Sequence, residues 1–198
     1  MLLFTRPLPK LKASALAFEN AGIDAVGVAT SDIVPVLSEQ YAAAEFLSHN
    51  AINVIIVTSV YAVDTVVSGL KKTAAAPHLV VAVGDATAHK LRAGLSELSS
   101  VNIAIPKVHT SEGILAMHQL NEANCQQVVI IKGEGGRDAI ANGLDEKGMS
   151  VNSFCVYKRE PLTRPIYTKR WKMGEVSGII ATSEAMALQL IEQFGNAL

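Results

Sequence analysis

A phenol, a glycine-flanked arginine and a series of hydroxyl-bearing turns are the groups in this chain best suited to chemistry on an anionic molecule. Tyr157 stands between Val156 and Lys158, next to Arg159, and a phenol there could donate a proton or a hydrogen bond. Plain packing is the alternative, because aromatic residues favour strands. Thr58, Ser59, Thr87, Ser111, Thr182 and Ser183 each follow an apolar run and each could cap a helix. At such starts the free backbone N–H groups and the positive end of the helix dipole favour anions. Capping alone accounts for any single one; several together suit a ligand with several carboxylates. The segment Lys132-Gly133-Glu134-Gly135-Gly136-Arg137 lacks the Lys-Ser/Thr of a Walker loop, and Ala139 and Ile140 continue a dinucleotide fingerprint poorly. Its glycines could instead let Arg137 close on a carboxylate through paired N–H donors. A tight turn with a solvated arginine is the other reading. The five histidines are scattered with no HExxH or CxxC companion, so no metal site is expected. Neither a Gly-x-Ser-x-Gly elbow nor a Ser/His/Asp set is present.

These groups need elements to position them, and the apolar residues supply a repeating strand, turn, helix pattern. Val54–Val57, Leu79–Val83 and Val128–Ile131 are β-branched runs, each followed by a small or polar turn and a helical period. Met1–Phe4 leads to a helix over Leu8–Ala21 that Gly22 should end. Val101–Ile105 stops at Pro106, before a helix from Ser111 through Leu120, and Ile179–Ala181 leads to a helix through Phe194. Strands buried on both faces and alternating with helices imply an α/β fold with parallel sheets and flanking helices. In such sheets ligands lie beyond the carboxyl ends of the strands, where the turns are.

Ile23–Pro35 and Met149–Pro161 break the rhythm by alternating apolar and polar residues. Both are expected to be half-exposed, paired strands, forming a two-stranded β connector between two lobes with a cleft between them. Residues 1–35 plus 156–198 would form a discontinuous outer lobe, and 36–155 an inserted central lobe. Val54–Ser59 and Gly178–Ser183 echo one another as strand, Thr-Ser, helix, in keeping with two related lobes.

Composition narrows the function classes. Among the 198 residues, 49% are hydrophobic and 18% charged, too apolar for a disordered chain. Seventeen Lys and Arg against 18 Asp and Glu leave a net charge of −1, so no global field exists to hold nucleic acid or an anionic membrane. The apolar runs are strand-length, below the roughly 20 residues of a bilayer span. Arg6 and Pro7 come too early for a secretory leader, and a cytoplasmic location is expected. Cys125 and Cys155 have no paired spacing and are expected to be buried, inert thiols.

In order along the chain, the motifs resemble the uroporphyrinogen-III synthase family. The resemblance rests on Thr5-Arg6-Pro7, Thr58-Ser59 with Ala62-Val63, Val83-Gly84-Asp85-Ala86-Thr87-Ala88 and Pro106 with Ser111-Glu112-Gly113. It continues through Gly133–Arg137, Val156-Tyr157-Lys158-Arg159 and Thr182-Ser183. It implies a lyase of tetrapyrrole (heme) biosynthesis that acts on hydroxymethylbilane with no cofactor or metal. Such an enzyme removes the terminal hydroxyl as water, inverts the fourth pyrrole ring and closes uroporphyrinogen III. It also implies that Arg6, Thr58, Ser59, Gly84, Asp85, Ala86, Thr87, Ser111, Gly133, Arg137, Thr182 and Ser183 bind the substrate's carboxylates. Tyr157 becomes the acid, or the hydrogen-bond orienter, at the leaving hydroxyl. A monomer receiving substrate from hydroxymethylbilane synthase is the expected assembly. The family continues beyond the Thr182-Ser183 helix with a further strand, a second Gly/Thr turn and a strand–helix pair, so the outer lobe is expected to be incomplete. A non-catalytic two-lobed binder of small anions, and a flavodoxin-like binder of a nucleotide or flavin, are the alternative classes.

Overall fold

The computed structural model describes residues 1–73, 76–98, 101–121, 126–135 and 138–195. In chain order the elements are β1 (Leu2–Thr5), α1 (Leu8–Asn20), β2 (Ala25–Pro35), α2 (Leu37–His49), β3 (Val54–Val57), α3 (Val63–Leu70), β4 (Leu79–Ala82), α4 (Asp85–Gly94), β5 (Ile103–Ala104), α5 (Ser111–Leu115), β6 (Gln127–Gly133), α6 (Ala139–Asp145), β7 (Ser150–Tyr167), β8 (Gly178–Ile180) and α7 (Glu184–Phe194). Single 3-10 turns lie at Val60–Ala62, His118–Asn121 and Met173–Glu175. The chain divides into two compact units, Met1–Val34 with Arg159–Leu198, and Pro35–Lys158. Among the described residues, no helix is long and apolar enough to cross a membrane.

In the unit Pro35–Lys158 the strand order is β5-β4-β3-β6-β7, and each of these pairings is parallel. Alternation along each strand divides the core in two. Ile55, Val57, Val80, Ala82, Val129 and Ile131 face a cluster with Leu47, Val66 and Leu91 from α2, α3 and α4. Val54, Ile56, Leu79, Val81, Val128 and Ile130 face the opposite cluster with Ile114, Ile140 and Leu144 from α5 and α6. All four residues of β3 and of β4 are buried, which is why they read as unbroken apolar runs. Burying a side chain of this size stabilises by about 1.5–3 kcal/mol.

In the other unit the order is β7-β2-β1-β8, with β2 and β8 both parallel to β1. Leu3, Val26 and Val28 pack with Leu190 of α7 on one face, and Phe4 and Ala29 with Leu11 of α1 on the other. Helix α1 ends in a Schellman motif: Ile23 N–H donates to Phe18 O at 3.0 Å and Gly22 N–H to Glu19 O at 2.9 Å. Gly22 holds φ +68° there, a conformation that favours glycine.

Several expectations need correction. Strand β2 is not half-exposed: Val26–Ser31 are all buried, because β1 and β7 flank the strand and α1 and α7 cover its faces. Strand β7 runs through Pro161 and Pro165 to Tyr167, six residues past the expected end. In its own unit that segment is an edge strand, where a missing N–H on the open side breaks no ladder. Strand β5 holds only Ile103–Ala104, a short edge. Helix α5 stops at Leu115, and the His118–Asn121 turn carries Leu120 back into the core. Cys155 is half-buried, and its burial holds the thiol above the ordinary value, so it stays protonated near neutral pH. Cys125 lies outside the described residues.

Candidate functional site

Parallel strands bring their carboxyl ends, and the turns that follow, to one edge. In the unit Pro35–Lys158 that edge collects Thr58, Ser59, Gly84, Asp85, Ala86, Thr87, Gly133 and Tyr157. Ser111 enters from the turn after β5. In the other unit the ends of β1 and β8 collect Arg6, Thr182 and Ser183. Gly136 and Arg137 lie outside the described residues.

Tyr157 reaches its place through a register shift. Lys132 pairs with Cys155 but Gly133 pairs with Tyr157, which leaves Val156 as the extra residue of a bulge. Strict alternation would send Val156 and Tyr157 to opposite faces. With the bulge, both pack on the cluster between the sheet and α2, α3 and α4. The ring lies directly over Gly133: a Cβ there would meet Cε2, Cζ and Oη of Tyr157 at 2.4, 2.5 and 2.9 Å. Tyr61 packs against the ring with centroids 5.5 Å apart, and Glu134 N–H donates to Tyr157 O at 2.9 Å. Glycine at 133 is thus the space that a half-buried phenol occupies at the strand ends.

The helix starts are not equivalent. Gly84 sits at the cap of α4 and offers no side-chain acceptor, so the N–H groups of its first turn, Asp85 to Thr87, meet no capping side chain. Thr87 is not a cap; it lies in the helix and is buried. Asp85 and Ala86 are exposed in the same turn. His109 faces Gly84, 3.6 Å from a Cβ built there, with its Nε2 4.0 Å from Asp85 Oδ2. Ser111 is the first helical residue and Thr110 the cap, accepting from Gly113 N–H at 3.1 Å. Thr58 is not a cap either: its N–H and Oγ1 both donate to Ile131 O, at 3.2 and 3.4 Å. Ser59 and Ser183 do cap, accepting from Tyr61 N–H and Met186 N–H, each at 3.4 Å. Those contacts are long beside the usual ~2.9 Å, so a ligand anion competes for the same N–H groups at small cost.

At the carboxyl edge of the other unit, Thr182 Oγ1 donates to Thr5 O at 3.2 Å and Thr30 Oγ1 to Gln189 Oε1 at 2.7 Å. Thr182 therefore ties β8 to β1 and does not cap α7. Arg6 Nε donates to Ser14 Oγ at 3.1 Å, which fixes the guanidinium against α1. Pro7 at the cap and Pro9 in the first turn lack N–H groups, so this helix start offers fewer backbone donors than those of α4 and α7. Lys10 is held below the ordinary lysine value by burial and then by the Arg6 charge, a crowding that an anion would relieve. Sequence reasoning missed Lys10, His109 and Tyr61. Proximity of Lys10 to Arg6 follows from one helical turn, but the other two depend on distant strands. Among the described residues no three His, Cys, Asp or Glu side chains group as metal ligands.

Similar proteins point one way. Uroporphyrinogen-III synthase from Proteus mirabilis is 26% identical over 112 residues, or 55% of this chain and 54% of that protein. The chain thus spans about half the length of this curated relative. Two crystal structures of uroporphyrinogen III synthase from the extreme thermophile Thermus thermophilus, a mutant and the wild type, superpose with TM-scores of 0.58 and 0.52. Each is 16% identical, with 97% of this chain and 76% of that chain covered, which is a likeness of fold. The profile of the family described as uroporphyrinogen-III synthase HemD matches residues 12–198, and the chain belongs to that family.

Proposed function

We propose that the chain performs the cyclisation of hydroxymethylbilane to uroporphyrinogen III, with loss of water and inversion of the fourth ring. The observation that carries this reading is the extent of the family match, which takes in every turn of both carboxyl edges except that of Arg6. The substrate bears eight carboxylates, and the open first turn of α4, the weakly capped Ser59 and Ser183 turns and the Arg6–Lys10 pair are donors of matching chemistry. Ser111, Gly133 and Arg137 complete the proposed binding set.

In the reaction the hydroxyl leaves as water once it receives a proton, and the Tyr157 phenol is the proposed donor or orienting hydrogen bond. The cationic azafulvene left behind is attacked by the substituted carbon of the last ring, giving a spiro-pyrrolenine that rearranges to the inverted macrocycle. Unaided closure gives the uninverted type I isomer, so the protein's contribution is selection by positioning and preorganised dipoles. A cytoplasmic monomer that takes its substrate from hydroxymethylbilane synthase is the proposed setting.

The test generates hydroxymethylbilane from porphobilinogen with its synthase, adds this chain, and separates the oxidised products. Type III product above the control is expected; type I alone would overturn the reading. Arg6→Ala is expected to raise KM about tenfold through a lost bidentate contact. A fall in kcat at unchanged KM would argue against carboxylate anchoring by Arg6.

A further inference from the structure

We propose that the segment Tyr167–Glu175 forms a second ligand site, for a planar aromatic molecule that carries carboxylate or phosphate groups. Its Lys169–Glu175 part lies at the amino-terminal end of β1, where Ser177 N–H donates to Met1 O and Lys169 Nζ to Asp24 Oδ1. The carboxyl-edge groups Thr5 and Thr182 are at the other end of β1 and β8, about 13 Å away at ~3.3 Å per residue. The cavity has a volume of about 940 Å3 and is lined by Tyr167, Lys169, Arg170, Trp171, Lys172 and Glu175, all within one unit. It is an open groove and not an enclosed pocket, so a ligand would lie along it with one face in solvent.

The lining divides the work between a flat wall and charge. Trp171 is half-buried against the Leu3–Val26–Val28–Leu190 cluster and meets Phe194 at 5.9 Å and 70°. Its indole is thereby locked, and Tyr167 stands 5.7 Å from it at 53° and exposed. Two rings held at an angle offer faces on which a flat π-system stacks with little ordering cost. Lys169 is already engaged by Asp24 at 2.6 Å. Glu175 Oε2 accepts from Lys172 N–H at 3.4 Å, which holds the turn. Arg170 and Lys172 are exposed at the rim and available to anionic substituents. A neutral or cationic ligand would gain the stacking and lose the charge term. The inference does not rest on the reaction proposed above.

Trp171 is the only tryptophan of the chain, so its fluorescence has a single source, and the double variant below separates binding at this segment from energy transfer to a porphyrin bound elsewhere. The experiment titrates the whole chain, in the dark, with uroporphyrin III as a planar polycarboxylate and separately with ATP as a planar polyphosphate. N-acetyltryptophanamide corrects for light absorbed by the probe. Saturable quenching by one or both is expected, and which probe acts identifies the source of the anionic groups. The double variant Arg170→Glu with Lys172→Glu should weaken binding at least about tenfold with unchanged far-ultraviolet circular dichroism, and 0.5 M salt should weaken it in the native chain. Corrected fluorescence that does not change with either probe would overturn the proposal. So would saturable quenching that the double variant leaves intact.

Discussion

Under the proposed cyclisation, with the Tyr157 phenol as its proposed acid or orienting hydrogen bond, Tyr157→Phe is expected to slow formation of the type III macrocycle by about a hundredfold. The unit's stability should move little. The contacts that hold the side chain all go to the ring: the missing Cβ of Gly133 beneath it, Tyr61 beside it and the apolar cluster under both. Phenylalanine keeps those contacts and removes only Oη. Because the substrate closes unaided to the type I isomer, lost catalysis appears as a changed isomer ratio as well as a changed rate. The measurement is single-turnover formation of each isomer, beside a thermal melt of the variant. A melting temperature within a few degrees of the parent, with type III yield collapsing toward type I, is the expected pair of results. Unchanged type III yield would remove Tyr157 from the chemistry, and a large drop in melting temperature would make it a packing residue instead.

That prediction depends on a feature no single segment displays. The strands were legible because β3 and β4 are buried on both faces, and burial of that kind leaves unbroken β-branched runs such as Val54–Val57. The turns were legible as turns, since glycine and hydroxyl residues interrupt those runs. Their roles were not, because a role there is a relation between two strands. Gly133 is glycine because of a ring 24 residues later, and that ring is over it only because Val156 is the extra residue of a bulge. Thr110 caps in place of Ser111, a one-residue distinction that rests on backbone conformation and not on side-chain type. Thr58 and Thr182 carry the hydroxyls of cap residues but spend them on neighbouring strand carbonyls, Ile131 O and Thr5 O. The placement of the basic aromatic segment around Trp171 follows from β7 continuing past two prolines to Tyr167.

Gly113→Ala is expected to be the most destabilising alanine substitution among the described glycines. A Cβ at this position would lie 1.9 Å from Val108 O and 2.9 Å from Val108 C. Those atoms are backbone, so no rotamer change relieves the clash. Val108 O also accepts from Thr110 N–H at 2.8 Å, while Thr110 Oγ1 accepts from Gly113 N–H at 3.1 Å. The turn from Val108 to Gly113 is closed on itself, and moving the Val108 carbonyl breaks the bond it accepts from Thr110 N–H. Overpacking of this kind costs about 3 kcal/mol, equivalent to roughly 6–12 °C in melting temperature for a chain of this size. Gly174→Ala is the matched control, since a Cβ there meets nothing within 4 Å. The effect should also reach the site: His109 lies inside the displaced turn and faces Gly84, so the open first turn of α4 loses a wall. Thermal melts of the two variants decide the point. Equal melting temperatures would mean the turn is loose enough to absorb a methyl group. A drop confined to Gly113→Ala would explain, in steric terms, why glycine follows Ser111-Glu112 in the motif.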